Sequence, residues 1–395
     1  MPRKNRRIIK GNGNIWRSLA QTLAIQSQIN LPGTVGRILK QVRDLERIAP
    51  LFAQAGLVRS LERPNPLNIR VGGIATQAKI TKTIGGFLYA AAATRIDLAV
   101  ENNVIATVGL DRTCELDDIN YDNQSKRLQL INIRQAYEMA DKAINSERGY
   151  DLILLDCPLV LDRSMVPLKE AASYASYRTD FDKAISAISN FWTNNKDKLQ
   201  PWNPNGTAVV GLAAERYGAI VNIARQDLRT LEDRKHILTT EAIDTDIIAQ
   251  IQESDPAISS IGERRFIYGI LNAYSRTATY RMNVQTPRME PSNIISLGGI
   301  GYHFKTAQTD TPYLLQTIGD EPNWNQKTLD CIAAEIMALT MAGATPLPIQ
   351  LAQREQQALD KFLEYYSDSL ISEIKKREIE DLWLSDLESA SATFL

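Results

Sequence analysis

The sequence is poor in cysteine and histidine and has no surplus of charge of either sign. Its 395 residues include only three cysteines, without CxxC spacing, and two histidines. So small a number of cysteines argues against a disulfide framework and against a cysteine zinc site. It favours a reducing compartment, which we interpret as the cytoplasm. Because 45 lysines and arginines balance 46 aspartates and glutamates, any binding of nucleic acid must come from a local patch.

Long hydrophobic runs are also missing. The longest apolar stretch, residues 85–110, is interrupted by Arg95, Asp97 and Glu101, which excludes a membrane span there. The N-terminus is basic but no apolar run follows it, so we do not expect a secretory signal. Its basic residues suit either phosphate contacts or a solvated terminus; they are Arg3, Lys4, Arg6, Arg7 and Lys10.

The apolar spacing predicts a helical N-terminal region followed by strands. Residues 14–60 have apolar positions at steps of three and four, and a Pro64-Asn65-Pro66 turn ends this pattern. Strands are then predicted over 68–77, 86–100 and 104–110, a helix over 126–145, and a buried strand, YDLILLD, over 150–156. The order strand, strand, strand, helix, strand is typical of a ribonuclease H-like fold. We therefore predict an α/β protein with a ribonuclease H-like mixed sheet flanked by helices, and helical additions at both ends.

The second half continues the alternation of helices and strands. Helices are predicted over 179–194, 226–234, 244–251, 327–341 and 347–374, and strands over 208–212, 264–270, 279–284 and 294–297. No internal repeat is present, which excludes a repeat architecture.

Two carboxylates are placed where an α/β sheet usually binds ligands. Asp156 ends the buried strand, and Glu138 lies eighteen positions earlier on the preceding helix, on one edge with Arg134. Paired carboxylates suit Mg²⁺ or Mn²⁺, which can activate water and stabilise both oxygens of a phosphodiester displacement. The alternative is a charged strand end capped by a basic residue, together with a solvated helical glutamate.

Several motifs resemble those of the NurA family of DNA-end nucleases. LLDCPLVLDRSM, around Asp156, is similar to the family motif in which an aspartate followed by Gly-Ser-Leu ends a strand. RQAYEMA resembles the helix that carries a metal-binding glutamate, which gives Glu138 that role. Further similar segments follow in the family's order between about residues 68 and 365: VVGLAAERYG, GERRFIYGIL, YRMNVQTPRMEP and PLPIQLAQREQQAL.

This chain departs from the family pattern at several positions. The first motif usually ends its strand with Asp-Gly-Ser, but RVGGIATQAKI has Ala75 there, and alanine cannot bind a metal. Asp97 is a weaker candidate for the missing ligand, its alternative being an outward-facing edge charge. Gln353 stands where the family has histidine, and glutamine cannot transfer a proton. Ala214 lies near the family's lysine, with Arg216 as a possible substitute.

The resemblance implies a function and a set of site residues. It implies a metal-dependent DNA nuclease that processes DNA ends as a homodimer with a hexameric HerA-type translocase, in repair or in defence. Mn²⁺ or Mg²⁺ would be held at positions 75, 138 and 156, that is Ala75, Glu138 and Asp156, with Gln353 as a further catalytic position. The candidate DNA-contacting residues are Arg134, Arg216 and Arg288, although Arg288 can equally form an ion pair with Glu290.

We therefore expect a nuclease domain over residues 65–365, between a basic helical region, 1–64, and an acidic tail, 366–395. Our hypothesis is that Ala75 replaces an aspartate and leaves this copy inactive. Two alternatives stay open: a non-catalytic DNA-binding or scaffold subunit of a translocase complex, and another ribonuclease H-like nuclease of the Argonaute or transposase type. The absence of a GxxxxGK[ST] motif means that another chain must supply the energy for unwinding.

Overall fold

A computed structural model describes the chain over ten segments, and the statements below concern these residues: 18–82, 86–119, 123–159, 161, 163–167, 175–213, 241–282, 299–318, 323–340 and 345–376. The strands are β1 (Val58–Ser60), β2 (Ile69–Lys82), β3 (Phe87–Glu101), β4 (Val104–Ile119), β5 (Leu152–Leu155), β6 (Ala208–Ala213), β7 (Ser275–Thr277), β8 (Tyr280–Met282), β9 (Gly299–Lys305) and β10 (Tyr313–Ile318). The helices are α1 (Leu19–Gln54), α2 (Gln124–Ile144), α3 (Ala175–Asn194), α4 (Thr245–Glu253), α5 (Asp255–Ile261), α6 (Glu263–Ile270), α7 (Gln326–Ala338), α8 (Leu347–Glu355) and α9 (Leu359–Lys376).

The strands form one mixed sheet of ten. Nine of them follow the order β1-β7-β9-β10-β6-β5-β2-β3-β4, and β8 pairs with β9 outside this path. β2, β3 and β4 form an antiparallel meander, whereas β5 lies parallel to both β2 and β6. The crossover from β4 through α2 to β5 therefore returns the chain to the centre of the sheet, and the predicted mixed α/β fold is confirmed.

Helices cover both faces of the central strands. On one face, Ile74 and Leu155 pack in a cluster with residues of α2 and α3. On the other face, Ala75 and Leu154 pack in a cluster with residues of α7 and α8. Because β3 is covered on both sides by α2, α8 and α9, it is apolar over a continuous run rather than in alternation.

Gly73 allows α8 to lie directly on β2. A Cβ atom at this position would stand 2.5 Å from the Pro348 Cβ, 2.6 Å from the Pro348 carbonyl carbon and 2.9 Å from the Ile349 nitrogen. These are atoms of a proline ring and of the helix backbone, which cannot swing aside as a flexible side chain can. The glycine therefore sets the distance between the strand and the helix that covers it.

Gly73→Ala is expected to lower the free energy of unfolding by about 1–3 kcal/mol, because the added methyl overpacks a rigid contact. Urea unfolding followed by circular dichroism measures this loss. Gly33→Ala in α1 is the control, since a Cβ there meets nothing within 4 Å. An alanine in that helix should leave stability unchanged or raise it by about 0.5–1 kcal/mol. An equal loss in both variants would contradict the role assigned to Gly73.

Some sequence predictions are wrong, and others lie outside the described residues. The strand predicted over 264–270 is helix α6, in which Phe266, Ile267 and Ile270 form a buried helical stripe. The helix predicted over 347–374 is interrupted by a 3₁₀ turn at Gln356–Ala358, which separates α8 from α9. The helix predicted over 226–234 and the strand predicted over 294–297 lie outside the described residues. None of the helices that the structure describes is both long and apolar enough to cross a membrane.

Candidate active site at the carboxyl ends of β2 and β5

The pairing of β2 with β5 brings position 75 and Asp156 together. Ile74 is the register partner of Leu155, and the Asp156 backbone nitrogen donates a hydrogen bond to the Ile74 carbonyl oxygen at 2.9 Å. Because side chains alternate along a strand, the next residues, Ala75 and Asp156, turn to the sheet face that α8 covers. The two positions are therefore lateral neighbours at the carboxyl edge of the sheet, where open α/β sheets usually bind ligands.

Helix α8 and the turn after it supply two glutamine amides to this edge. The Gln353 side-chain nitrogen donates to Asp156 Oδ2 at 2.6 Å. The Gln356 side-chain nitrogen donates to the Ala75 carbonyl oxygen at 2.7 Å and to the Ala92 carbonyl oxygen at 3.3 Å. The sequence predicted Gln353 at the site but missed Gln356, which is buried, because its two acceptors are backbone atoms more than 250 positions away.

The surroundings of Asp156 disfavour its charged form. Burial raises the pKa of the Asp156 carboxyl above its usual range, and the hydrogen bond from Gln353 opposes this shift only in part. The neighbouring Ala75 methyl is completely buried. A carboxyl group whose charged form is disfavoured by burial is typical of a functional position rather than of a residue kept for stability.

Asp156→Asn is expected to stabilise the fold at neutral pH and to leave it intact, because an asparagine oxygen can still accept the Gln353 hydrogen bond. The sign follows from the raised pKa: the native protein binds more protons at this group than the unfolded chain, so the carboxylate lowers stability as pH rises through the folded pKa. We expect a higher melting temperature for the variant at pH 8 and convergence with the parent below about pH 4, where the aspartate is protonated in both states. A lower melting temperature at pH 8 would show that the carboxylate is structural.

Glu138 and Arg134 lie on α2, which covers the other face of the sheet. Arg134 binds Glu115 of β4, and its Nε lies 4.0 Å from Glu138 Oε1. The Glu138 side chain is 53% exposed. The structure thus brings Ala75, Asp156 and Gln353 together, whereas the contact it shows for Glu138 is with Arg134. The charge of Arg134, a candidate DNA contact, is shared with two carboxylates of its own chain.

The described residues do not fit a divalent cation in the present sequence. No group of three or more His, Cys, Asp or Glu side chains in the described part of the chain is placed to hold a metal ion. At the strand ends, Asp156 accepts an amide hydrogen bond and position 75 offers a methyl group. Arg216 and Arg288 lie outside the described residues, as do Ala214 and Glu290.

Asp97 is a buried structural ion pair, so the interpretation of it as an outward-facing edge charge is wrong. Its carboxylate is 1% exposed and binds Arg95 Nε at 3.0 Å and Arg148 Nη1 at 2.5 Å. The guanidinium of Arg148 passes over Gly109, where a Cβ atom would collide with it. Asp97 pairs in register with Gly72, three positions before Ala75, and it lies on the α2 side of the sheet.

Comparison with known proteins gives a fold. No protein-family model matches the chain, and no curated protein matches it. Among solved structures, it is similar to the NurA nuclease from Sulfolobus solfataricus, with 12% identity, a TM-score of 0.54, and coverage of 90% of this chain and 98% of that one. Another NurA crystal structure matches at 12% identity with a TM-score of 0.43 over 91% of this chain and 99% of that one. Endonuclease V from Bacillus subtilis matches at 11% identity with a TM-score of 0.34, over 80% and 91%.

The class that these observations define is the ribonuclease H-like α/β fold, a mixed sheet covered by helices on both faces. Within that class the chain has a NurA-like nuclease fold over about nine-tenths of its length, as the motifs predicted. At 12% identity the likeness shows the fold, and the function has to be argued from the site.

Proposed function

We propose that this chain is a DNA-processing protein of the NurA type, descended from a metal-dependent phosphodiesterase and inactive in its present form because it has lost the acid at position 75. The observation that carries the proposal is the register of two parallel strands, which makes Ala75 the lateral neighbour of Asp156. An aspartate at position 75 would add a second carboxylate beside Asp156, and oxygen ligands of this kind suit Mg²⁺ and Mn²⁺.

Each remaining residue has a defined part in this proposal. A bound Mn²⁺ or Mg²⁺ would supply charge neutralisation and an activated water at the strand ends. Asp156 would be a ligand after giving up its hydrogen bond to Gln353. Gln353 would then be free to hydrogen-bond a phosphate oxygen, but its amide cannot transfer a proton. Glu138 serves as the third acid only if it leaves its ion pair with Arg134 and reaches the strand ends from the α2 face of the sheet.

The substrate and partners follow from the same proposal. DNA is the expected substrate, with Arg216 and Arg288 as its candidate contacts, and with Arg134 only if the phosphate displaces Glu115. We further propose a homodimer that works in the cytoplasm with a hexameric HerA-type translocase.

The experiment that tests this function compares the chain and its Ala75→Asp variant on labelled DNA with Mn²⁺, with and without a translocase. Cleavage only by the variant supports the proposal. A second candidate function is a non-catalytic DNA-binding subunit, which the closed Asp156–Gln353 pair favours. Equal DNA binding by both forms, with no cleavage by either under any divalent ion, would decide for that candidate.

A further inference from the structure

A cavity of about 820 Å³ opens at the amino end of β2, away from the candidate site. Its walls come from the segment before β2, from the turn that joins β3 to β4, and from the end of α7. Ala75 lies six positions after Ile69, the first residue of β2, so about 20 Å or more separates the cavity from position 75 at roughly 3.3 Å per residue. Pockets that bind small molecules usually have volumes of about 300–1,000 Å³. The cavity is therefore a second candidate binding site.

One wall of the cavity is apolar. Leu67 and Val100 line it, and both are buried in the core cluster that α7 covers. Pro64 and Ile105 extend this wall, and Ile105 is 39% exposed, so it lies toward solvent. Because removing apolar surface from water is favourable, this wall suits a ligand that has an apolar body.

Two asparagine amides of the cavity have N–H groups to spare. Asn103 Oδ1 accepts a hydrogen bond from the Leu67 backbone nitrogen at 2.8 Å, and Asn65 Oδ1 accepts one from Asn103 Nδ2 at 3.1 Å. Both oxygens are thus engaged within the fold. An amide nitrogen carries two hydrogens, so two N–H groups of Asn65 and one of Asn103 have no acceptor among the residues that the structure describes. These groups favour a ligand with acceptor oxygens.

Arg63 adds a positive charge to the lining. No hydrogen bond or ion pair joins its guanidinium to another residue in the described segments of the chain. Burial raises the pKa of the Tyr274 hydroxyl, and the charge of Arg63 opposes this shift, so the guanidinium lies close to the half-buried Tyr274 ring. An arginine guanidinium can bind two oxygens of a carboxylate or of a phosphate at once. The polar part of the cavity therefore suits an anion.

We propose that this cavity binds a small organic anion, in which an apolar body of one or two rings carries a single phosphate or carboxylate group. The anionic group accepts hydrogen bonds from Arg63 and from the amides of Asn65 and Asn103. The body lies against Leu67 and Ile105. Because the carboxyl end of a helix carries partial negative charge, the body rather than the anionic group lies at the end of α7. This binding activity goes beyond the proposed nuclease function and does not depend on it.

The first test uses probes that separate the apolar body from the charge. 1-Naphthyl phosphate and 1-naphthylacetate join the same two rings to a phosphate or a carboxylate. 1-Naphthol has the rings without the charge at neutral pH, and inorganic phosphate has the charge without the rings. Isothermal titration calorimetry of the parent chain should give a dissociation constant below about 1 mM for at least one naphthyl anion, and at least about tenfold weaker binding of 1-naphthol and inorganic phosphate. The tighter of the two anions identifies the group that Arg63 recognises.

The second test uses matched variants to place the binding in the cavity. Ile105→Trp fills the space beside the apolar wall and should abolish binding, whereas Leu116→Trp changes a residue of the same strand that is 42% exposed and should leave binding unchanged. Arg63→Gln keeps a hydrogen-bonding side chain but removes the charge. It should raise the dissociation constants of the naphthyl anions roughly tenfold or more, and that of 1-naphthol less than about threefold. Thermal melting by circular dichroism confirms that the variants fold.

Any one of three results overturns the proposal. The first is the absence of saturable binding by both naphthyl anions. The second is equal affinity of the naphthyl anions and of either partial probe, 1-naphthol or inorganic phosphate. The third is binding that Ile105→Trp or Arg63→Gln leaves unchanged. None of these results bears on the proposed nuclease function, because cleavage by Ala75→Asp is assayed at the other end of this part of β2, and a failure of that assay leaves the cavity unaffected.

Discussion

Ala75→Asp is expected to convert the chain into a Mn²⁺-dependent nuclease that cleaves labelled DNA at least about 100-fold faster than the parent. Loss of a residue that merely supports a metal ligand costs roughly 10–100-fold in metal affinity or activity, so gain of a ligand itself should exceed that range. The strand register provides the reason, because the new carboxylate would stand beside Asp156 at the same sheet edge.

Three controls make this result specific. Ala75→Asn has nearly the same shape as Ala75→Asp but lacks the charge, so it should remain inactive. Ala75→Asp combined with Asp156→Asn should also be inactive, because the neighbouring carboxylate is gone. Ala75→Asp combined with Glu138→Gln tests whether the α2 glutamate is the third acid. Activity of the parent chain equal to that of Ala75→Asp would show that position 75 is not a lost ligand.

Arg276→Met is expected to destabilise the fold by about 3–5 kcal/mol, since it breaks a buried ion pair and leaves the Glu241 carboxylate with only the partly exposed Arg59. Arg276 is completely buried on β7. Its Nη1 lies 2.7 Å from Glu241 Oε1, and its Nε lies 2.6 Å from Asp330 Oδ1 of α7. Its guanidinium also lies 5.3 Å from the centre of the Tyr302 ring. One side chain thus joins β7 to α7 and to the segment that carries Glu241.

Urea unfolding measures the effect, and Arg59→Met is the matched control. Arg59 also binds Glu241, with its Nε 3.1 Å from Oε2, but its side chain is 19% exposed and a second arginine remains on the carboxylate. Its removal should cost about 1 kcal/mol or less, as for a partly solvated pair. Equal losses in the two variants would contradict the central place given to Arg276.

The same pair makes stability depend on pH in a defined direction. Burial alone would raise the pKa of Glu241, but the Arg276 guanidinium and the hydrogen bonds from Thr279 together outweigh burial and lower the pKa below its usual range. The pair's contribution is therefore fully present above the ordinary glutamate pKa of about 4.3 and is lost as pH falls through the lower folded value. In Arg276→Met the free energy of unfolding should not fall with this group's protonation as pH decreases, or it should rise.

The sequence predicted the centre of the fold and of the candidate site because both follow from local patterns. YDLILLD is a buried parallel strand with Asp156 at its end, and the motif RVGGIATQAKI is the strand beside it that carries Ala75. Strand alternation and the resemblance together were sufficient to place position 75 beside Asp156.

The remaining parts depend on contacts that a local pattern does not contain. β9, GIGYHFK, is missing from the sequence predictions although Ile300, Tyr302 and Phe304 alternate along it. Its burial on both faces, His303 and Lys305 included, depends on packing that the sequence does not show. GERRFIYGIL has apolar residues that fit either period over so short a span, and packing against α1 makes it helical. Gln353 reaches Asp156 across 197 positions of sequence. The i,i+4 spacing of Arg134 and Glu138 predicts their contact, but it does not show that α2 covers the sheet face opposite to Ala75.

Binding of Mn²⁺ to purified Ala75→Asp, measured by isothermal titration calorimetry, tests the central claim most directly. That claim is that position 75 and Asp156 form the two sides of one lost cation site. We predict saturable binding by Ala75→Asp, no binding by the parent chain, and loss of binding when Asp156→Asn is added. Absence of binding by Ala75→Asp, or binding that Asp156→Asn leaves unchanged, would contradict the claim.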